Sequence, residues 1–442
     1  MQKSLHVAAL AASLTLSACQ AVHLGFAGDV MPLTGGQASL EPGPLAPAWR
    51  RELSARSLYR DIVHQIGGVA YDAVHGRVAV GSADGTYRCL SAADGTTLWQ
   101  IELGSGGGGR PLFSRGRIYT GTDDGRVLAL DADTGRKIWS YRVQGAISQE
   151  PVLAGGTLYF ADGENAVYAL DAETGAWRWQ YRRDPPEEFA LVGEAAPVVI
   201  GDRVYVGFSD GIFVALNAAD GGVVWEVDLA PEHDRFQDVD ARAVLASGRI
   251  YAASAAGGLA AIDPADGHVL DTLPITGVTA MTEVDGDVVV AVDQGEIRRL
   301  RGIDGKTAWR ADFGSGSGAP GQPVVLGGSV LVPFSRGGLQ VIDARSGRPI
   351  HHFTPGNGIH GPVTVGRDGT AWLLSDGDVL TPSDPGAERR PSPLKESSIT
   401  HRCVCALPGC VPYMCVVECM THGIAPVGAS PQAAAGLSAG RR

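Results

Sequence analysis

The stretch Asp131-Ala132-Asp133-Thr134-Gly135, followed four residues later by Trp139, decides the fold of this chain. The same frame recurs at Gly95/Trp99, Gly175/Trp179, Gly221/Trp225 and Gly305/Trp309, and it decays at Gly267 and Gly347, where Asp271 and His351 occupy the tryptophan position. From the first to the last of these glycines the mean interval is about 42 residues. A repeat of this length with several short strands per unit predicts a β-propeller.

One repeat unit, residues 150–181, contains four short apolar runs separated by glycine-containing turns. Such runs of β-branched, aromatic and small apolar residues are typical of antiparallel strands joined by hairpins. The aspartate that ends the third run can accept hydrogen bonds from backbone amides two residues on, and the glycine can adopt a positive φ. The tryptophan then lies on the outer strand, where we expect its ring to fill the space between neighbouring blades.

The patterned region, residues 47–380, has room for about eight repeats of this length. Seven turn motifs are visible, and an eighth set of strands near the end of the region lacks its fourth strand. Residues 48–53 read as an outer strand without a blade of its own. The sequence therefore predicts an all-β, eight-bladed propeller of four-stranded blades, closed by pairing this N-terminal strand with the last blade.

The formal charge of −12 comes without a cluster of Lys or Arg, so nucleic acid is not an expected partner. The N-terminus has Lys3 before an apolar run at residues 7–16, a length typical of a signal peptide over residues 1–18. Leu16-Ser17-Ala18-Cys19 fits a bacterial lipobox, which predicts acylation of Cys19 and a flexible tether over residues 19–46. The expected location is the periplasmic face of the outer membrane, anchored by lipid; the alternative is an ordinary secretory signal with a chance cysteine.

The segment 381–442 departs from the repeat pattern and reads as a Pro-rich linker and a Cys-rich, disordered tail. Its five cysteines, from Cys403 to Cys419, fit no paired Cys-x-x-Cys zinc site, and an odd number leaves one thiol over. An incidental extension, a disulfide knot and a metal site all stay open.

The Ala-x-Asp-x-x-Thr-Gly-x-x-x-Trp repeat resembles that of pyrroloquinoline-quinone-type propellers, and two loops are similar to those of the BamB family. Phe189-Ala190-Leu191-Val192-Gly193-Glu194-Ala195-Ala196-Pro197 is similar to the family pattern Leu-Ser-Leu-Arg-Gly-Glu-Ser-Ala-Pro, and Arg235-Phe236-Gln237-Asp238-Val239-Asp240 is similar to Arg-Leu-Ser-Asp-Val-Asp. Together with the lipobox, this resemblance extends over about residues 19–380.

The resemblance implies a scaffold protein of the outer-membrane β-barrel assembly machinery, monomeric by itself, that meets the POTRA repeats of BamA and other subunits of the machinery. Carried over residue by residue, the implied contacts are Phe189, Leu191, Val192, Asp238 and Asp240. Val192 stands where the family pattern has arginine. Both loops precede the innermost strands of successive blades, so they are expected on one face, where apolar groups beside carboxylates suit protein binding. Alternatively, the apolar residues plug the central channel and the aspartates cap turns.

A quinone-dependent dehydrogenase is the main rival, because such enzymes share this repeat. Enzymes of that class have longer chains, with a Ca²⁺ site, a catalytic aspartate and often an adjacent pair of cysteines. In this sequence no two cysteines are adjacent, and no matching set of carboxylates is found. We therefore predict no catalytic residue, no metal and no cofactor. A propeller lipoprotein that binds another envelope partner, such as peptidoglycan machinery or a surface polysaccharide, is a further alternative.

Overall fold

A computed structural model describes residues 30–31, 46–53, 67–82, 84–184, 195–230, 237–355, 358–376 and 379–384. Nearly all of the regular structure in these ranges is β-strand, with a 3₁₀ turn at Ser315–Ser317. The described ranges contain no helix long and apolar enough to cross a bilayer.

Seven blades of four antiparallel strands follow one another along the chain, and three strands precede them. The preceding strands are β1 (Val30–Met31), β2 (Ala46–Pro47) and β3 (Arg50–Glu52). Blade 1 consists of β4 (Val69–Asp72), β5 (Arg77–Gly81), β6 (Thr86–Ser91) and β7 (Thr97–Glu102). Blade 2 consists of β8 (Leu112–Ser114), β9 (Arg117–Gly121), β10 (Arg126–Asp131) and β11 (Lys137–Arg142). Blade 3 consists of β12 (Val152–Ala154), β13 (Thr157–Asp162), β14 (Ala166–Asp171) and β15 (Trp177–Arg182).

The later blades repeat the same order from the innermost to the outermost strand. Blade 4 consists of β16 (Val198–Ile200), β17 (Arg203–Gly207), β18 (Ile212–Asn217) and β19 (Val223–Asp228). Blade 5 consists of β20 (Val244–Ala246), β21 (Arg249–Ser254), β22 (Gly258–Ile262) and β23 (Val269–Leu273). Blade 6 consists of β24 (Val278–Val284), β25 (Asp287–Val292), β26 (Glu296–Leu300) and β27 (Thr307–Asp312). Blade 7 consists of β28 (Val324–Leu326), β29 (Ser329–Phe334), β30 (Gly338–Asp343) and β31 (Pro349–Phe353).

The expectation of eight four-stranded blades is wrong, because only seven sheets in the described part of the chain have that form. The remaining strands, β32 (Thr364–Val365), β33 (Ala371–Ser375) and β34 (Val379–Asp384), join β1, β2 and β3 in one six-stranded sheet. We call this the closing sheet. Each chain end contributes three strands to it, so it is not a copy of the repeat, and dividing the length by the repeat interval miscounted it as another blade. The outer position beside β34 is taken by β3, with Arg51 opposite Leu380.

The turn between the third and fourth strands of each blade explains why the repeat motif has its composition. In blade 2, Asp131 Oδ1 accepts hydrogen bonds from the Thr134 amide at 2.9 Å and from the Thr134 hydroxyl at 2.6 Å. Gly135 has a φ of 71°, which a residue with a Cβ adopts only with strain. The aspartate, threonine and glycine of the motif are therefore all required by the local backbone.

The hydrophobic core is divided among the boundaries between neighbouring sheets. The cluster between blades 2 and 3, for example, buries Tyr119, Trp139, Leu158 and Phe160. Trp139 Nε1 donates to the carbonyl of Ala172 in the next blade at 3.1 Å. The expectation that the repeat tryptophans pack between blades is thus confirmed. At every boundary, such burial stabilises the fold by about 25 cal/mol for each Å² of apolar surface that is removed from water.

The remaining observations concern one cysteine and the chain ends. Cys89 is fully buried in β6. Within the expected tether, Val30–Met31 pairs with β3. The signal peptide, Cys19 and the tail beyond residue 384 lie outside the described residues.

Candidate binding surface at the mouth of the channel

Two kinds of connection share one face of the propeller, which we call the connection face. Because the strands of a blade run antiparallel, the hairpin between strands two and three lies on the same side as the crossing to the next blade. Residues 208–211 form such a hairpin in blade 4, and residues 237–243 end the crossing from blade 4 to blade 5. The Asp131–Gly135 turns lie on the opposite face, which we call the turn face.

The crossing into blade 5 is held between two hairpins by its backbone. The Val239 amide donates to the carbonyl of Phe208 at 3.1 Å in blade 4, and the Ala255 amide in blade 5 donates to the carbonyl of Asp238 at 2.9 Å. The Ser254 hydroxyl donates to the carbonyl of Gln237 at 2.8 Å. Residues 237–239 are thus placed by the sheets around them, as a preorganised binding segment would be.

Val239, which lies between Asp238 and Asp240 in the sequence, anchors this segment in the core. Its side chain is 1% exposed. A Cβ at Gly207 would lie 2.3 Å from Val239 Cγ1, so the last residue of β17 has to be glycine. Val239 therefore determines where Asp238 and Asp240 lie.

The two aspartates differ in their environment. Asp238 is buried at 2% exposure, so it lies beneath the surface, whereas Asp240 is partly exposed. Burial, together with the nearby charge of Asp238, raises the pKa of Asp240 to about 7. Asp240 thus changes its charge near neutral pH, and it is the better placed of the two to meet a partner.

The other predicted contacts, Phe189, Leu191 and Val192, lie outside the described residues, within 185–194. The strand that leads to them is anchored by Arg183. Its Nε donates to Asp210 Oδ2 at 2.6 Å, and its Nη1 donates to Glu226 Oε2 at 3.0 Å. Segment 185–194 follows blade 3 and precedes blade 4 in the sequence, and residues 229–243 lie between blades 4 and 5, so the predicted contacts fall in consecutive inter-blade segments of the chain.

Sequence reasoning missed three charged residues that each stand two positions before an innermost strand. Arg110, Glu150 and Arg242 precede β8, β12 and β20 in this way. Arg110 and Glu150 form an ion pair between neighbouring blades. An alignment of the repeats by their innermost strands would have shown that these residues occupy one equivalent position.

The histidines near the last crossing lie in separate environments. His351 is buried, His352 Nε2 lies 2.6 Å from the carbonyl oxygen of Gly337, and His360 Nδ1 lies 2.9 Å from Asp376 Oδ2. Within the described ranges, no group of three or more His, Cys, Asp or Glu side chains is arranged to hold a metal ion.

Comparison with solved structures shows the same fold in several proteins. BamB from Moraxella catarrhalis is 21% identical, with a TM-score of 0.67 over 77% of this chain and 99% of that one. The computationally designed Ika8 protein is 17% identical, with a TM-score of 0.61 over 74% and 98% of the two chains. The quinohemoprotein alcohol dehydrogenase ADHIIG from Pseudomonas putida HK5 is 15% identical, with a TM-score of 0.62 over 78% and 76%. At these identities the likeness shows the fold alone.

Sequence comparison is more specific. No curated protein matches the chain. The family model of the outer membrane protein assembly factor BamB, however, matches residues 83–311 and 257–357, which together are more than half of the chain. Because that match covers most of the propeller, the chain belongs to the family of the outer membrane protein assembly factor BamB.

Proposed function

We propose that this chain is a non-enzymatic lipoprotein of the outer-membrane β-barrel assembly machinery, held at the periplasmic face by an acylated Cys19. Its role is that of a scaffold that binds the POTRA repeats of BamA. The binding residues belong to two consecutive inter-blade segments of the chain, Phe189, Leu191 and Val192 in one and Asp238 and Asp240 in the other.

The observation that carries this proposal is the fixed position of residues 237–239, next to Asp240, in a chain of the BamB family. A binding segment held by neighbouring sheets loses little conformational entropy when a partner docks. Asp240 is partly exposed on that segment, while Asp238 raises its pKa from beneath. A partner that brings a cation to Asp240 would stabilise its charged form and gain affinity.

The direct test is recovery of BamA POTRA repeats by the purified protein carrying Asp240→Arg. The expected result is a loss of most of the bound partner, because reversing the charge replaces attraction by repulsion. The matched control is Asp220→Arg on the turn face, where Asp220 is exposed and its carboxylate accepts only a local hydrogen bond from the Gly222 amide at 3.0 Å. Leu191→Asp tests the apolar half of the surface in the same assay. Equal recovery by all variants would remove this interface and favour another envelope partner.

The pH dependence of binding gives a second test. Since the pKa of Asp240 is about 7, the carboxylate is mostly protonated at pH 6 and mostly charged at pH 8. Binding to a basic surface should therefore strengthen over this range in the wild type and stay flat in Asp240→Asn. A wild-type profile identical to that of Asp240→Asn would show that this carboxylate does not contribute.

A quinone-dependent dehydrogenase is the second candidate, favoured by the shared fold of the alcohol dehydrogenase from Pseudomonas putida HK5. Reconstitution with pyrroloquinoline quinone, followed by dialysis and an absorbance scan, separates the two functions. We expect no retained quinone. One quinone bound per chain would defeat the scaffold proposal.

A further inference from the structure

Three charged side chains stand at equivalent positions around the central channel. Arg110, Glu150 and Arg242 each lie two residues before the innermost strand of blades 2, 3 and 5. Since the innermost strands of a propeller surround its channel, these side chains belong to one layer at the connection-face end of that channel.

Small residues in the neighbouring blades leave space for this layer. In blade 1, a Cβ at Gly68 would lie 2.7 Å from Arg110 Cβ, so Arg110 occupies the volume that a side chain of blade 1 would fill. Its Nη1 extends as far as Thr364 Oγ1 in the closing sheet, at 3.5 Å. In blade 4 the equivalent residue, two positions before β16, is Ala196, so Glu150 and Arg242 have only a methyl group between their positions in the ring.

Among the residues that the structure describes, the charges in this layer do not balance. Glu150 is ion-paired with Arg110. The Arg242 guanidinium has neither a hydrogen bond nor an ion pair within 4.0 Å to any part of the chain that the structure describes. Burial lowers the pKa of Arg242, while the charge of Glu150 acts to raise it and the charge of Arg110 acts to lower it. Two cations therefore share one carboxylate in a partly buried site, where an unpaired charge is costly.

We propose that the channel binds a small oxyanion, of carboxylate or phosphate type, between the guanidinium groups of Arg242 and Arg110. Two adjacent oxygens of either anion match the two parallel N–H groups of a guanidinium. Arg242 supplies a guanidinium fork without a hydrogen bond or ion pair to the described residues, and Arg110, held by Glu150 and Thr364, supplies a second positive charge. The argument for this site does not depend on the proposed BamA surface, although Arg242 lies two residues from Asp240 in the same crossing.

The test is a calorimetric titration of the purified protein with inorganic phosphate and, separately, with acetate, at a constant ionic strength set by chloride. We expect saturable binding of one anion per chain. Arg242→Gln should weaken that binding by at least about tenfold, because it removes a charge-assisted pair of hydrogen bonds. Arg242→Lys keeps the charge but lacks the paired N–H groups, so its affinity for the anion should fall between those of the wild type and Arg242→Gln. If Arg242→Gln does not fold, Arg242→Lys is used for the test instead.

The matched control is Arg203→Gln on the turn face, where the arginine forms an ion pair with the exposed Asp202 at 3.0 Å. It should bind the anion like the wild type. Phosphate binding without acetate binding would assign a phosphate site, acetate binding alone would assign a carboxylate site, and binding of both would assign a general oxyanion site. Absence of saturable binding with either probe, or unchanged affinity in both Arg242 variants, would overturn the proposal.

Discussion

The boundary between blades 3 and 4 and the boundary between blades 5 and 6 solve one packing problem in two ways. At the first, Trp179 covers Gly221 in the turn of the next blade, and its Nε1 donates to the carbonyl of Ala218 at 3.0 Å. The Tyr159 hydroxyl donates to the same carbonyl, also at 3.0 Å. At the second boundary the tryptophan position holds Asp271, which is exposed and accepts a hydrogen bond from the Thr272 amide.

The second boundary replaces the indole with two separate residues. Leu273, two positions further along β23, lies against Gly305 of the next turn. The Tyr251 hydroxyl donates to the carbonyl of Gly302 at 3.0 Å. The comparison shows that the repeat tryptophan has two functions, filling space and satisfying a carbonyl, and that these can be separated between two other side chains.

Removing the indole should have the largest effect. Trp179 is 3% exposed, and we expect Trp179→Ala to lower the free energy of unfolding by about 3–5 kcal/mol, because it leaves a cavity between blades 3 and 4. The measurement is urea denaturation followed by circular dichroism. Trp177, two residues earlier on the same strand, is 57% exposed, so Trp177→Ala is a matched control that should change the free energy by no more than about 0.5 kcal/mol. Similar losses in the two variants would contradict the assigned role of the buried ring.

Replacing the glycine that packs beneath Trp179 or Leu273 by alanine should have an intermediate effect on stability. The two replacements distinguish packing against a rigid ring from packing against a flexible side chain. Gly221 and Gly305 have similar φ angles, 74° and 66°, so the backbone strain of an alanine is nearly the same at both sites. The new Cβ at Gly221 would lie 2.7 Å from the Trp179 ring, while at Gly305 it would lie 2.9 Å from a methyl carbon of Leu273. We expect Gly221→Ala to cost about 1–3 kcal/mol more than Gly305→Ala, because the ring cannot rotate away and the leucine can. Equal midpoints in urea for the two variants would show that the backbone alone determines the cost.

The sequence predicts the repeated part of the fold well and its exceptions poorly. The roles of Asp131 and Gly135 depend on contacts within a few residues, so the motif is sufficient to infer them. The role of Trp139 depends on the turn of the next blade, and the motif is sufficient here too because that turn is another copy of the repeat. The substitution of Leu273 and Tyr251 for an indole depends on which side chains of neighbouring strands face each other, and a decayed motif at Gly267 does not reveal it. The count of eight four-stranded blades failed for a similar reason, since the sheet that joins the two chain ends follows no repeat.

The candidate site likewise has features that the sequence predicts and features that it does not. Asp238 and Asp240 were found from a resemblance in sequence, but their different burial follows from Val239, whose side chain enters the core beside Gly207. Arg110, Glu150 and Arg242 belong to no local motif. Their relation appears only when the innermost strands are arranged around the channel.

The smallest expected effect comes from the hydroxyl groups, and it tests the comparison most finely. Tyr251→Phe removes the only side-chain donor that the structure shows at the Gly302 carbonyl among the described residues, while Tyr159→Phe leaves Trp179 donating to the Ala218 carbonyl. A buried carbonyl that loses its partner costs about 1–3 kcal/mol. We therefore expect Tyr251→Phe to be destabilising by about 1 kcal/mol and Tyr159→Phe by less than half of that. Both variants keep the ring, so packing is unchanged. The difference between their urea midpoints therefore measures the contribution of the second donor, Trp179 Nε1, at the Ala218 carbonyl. If Tyr159→Phe proved as costly as Tyr251→Phe, the indole hydrogen bond would be contributing little, and the tryptophan at the other boundaries would act by its volume alone.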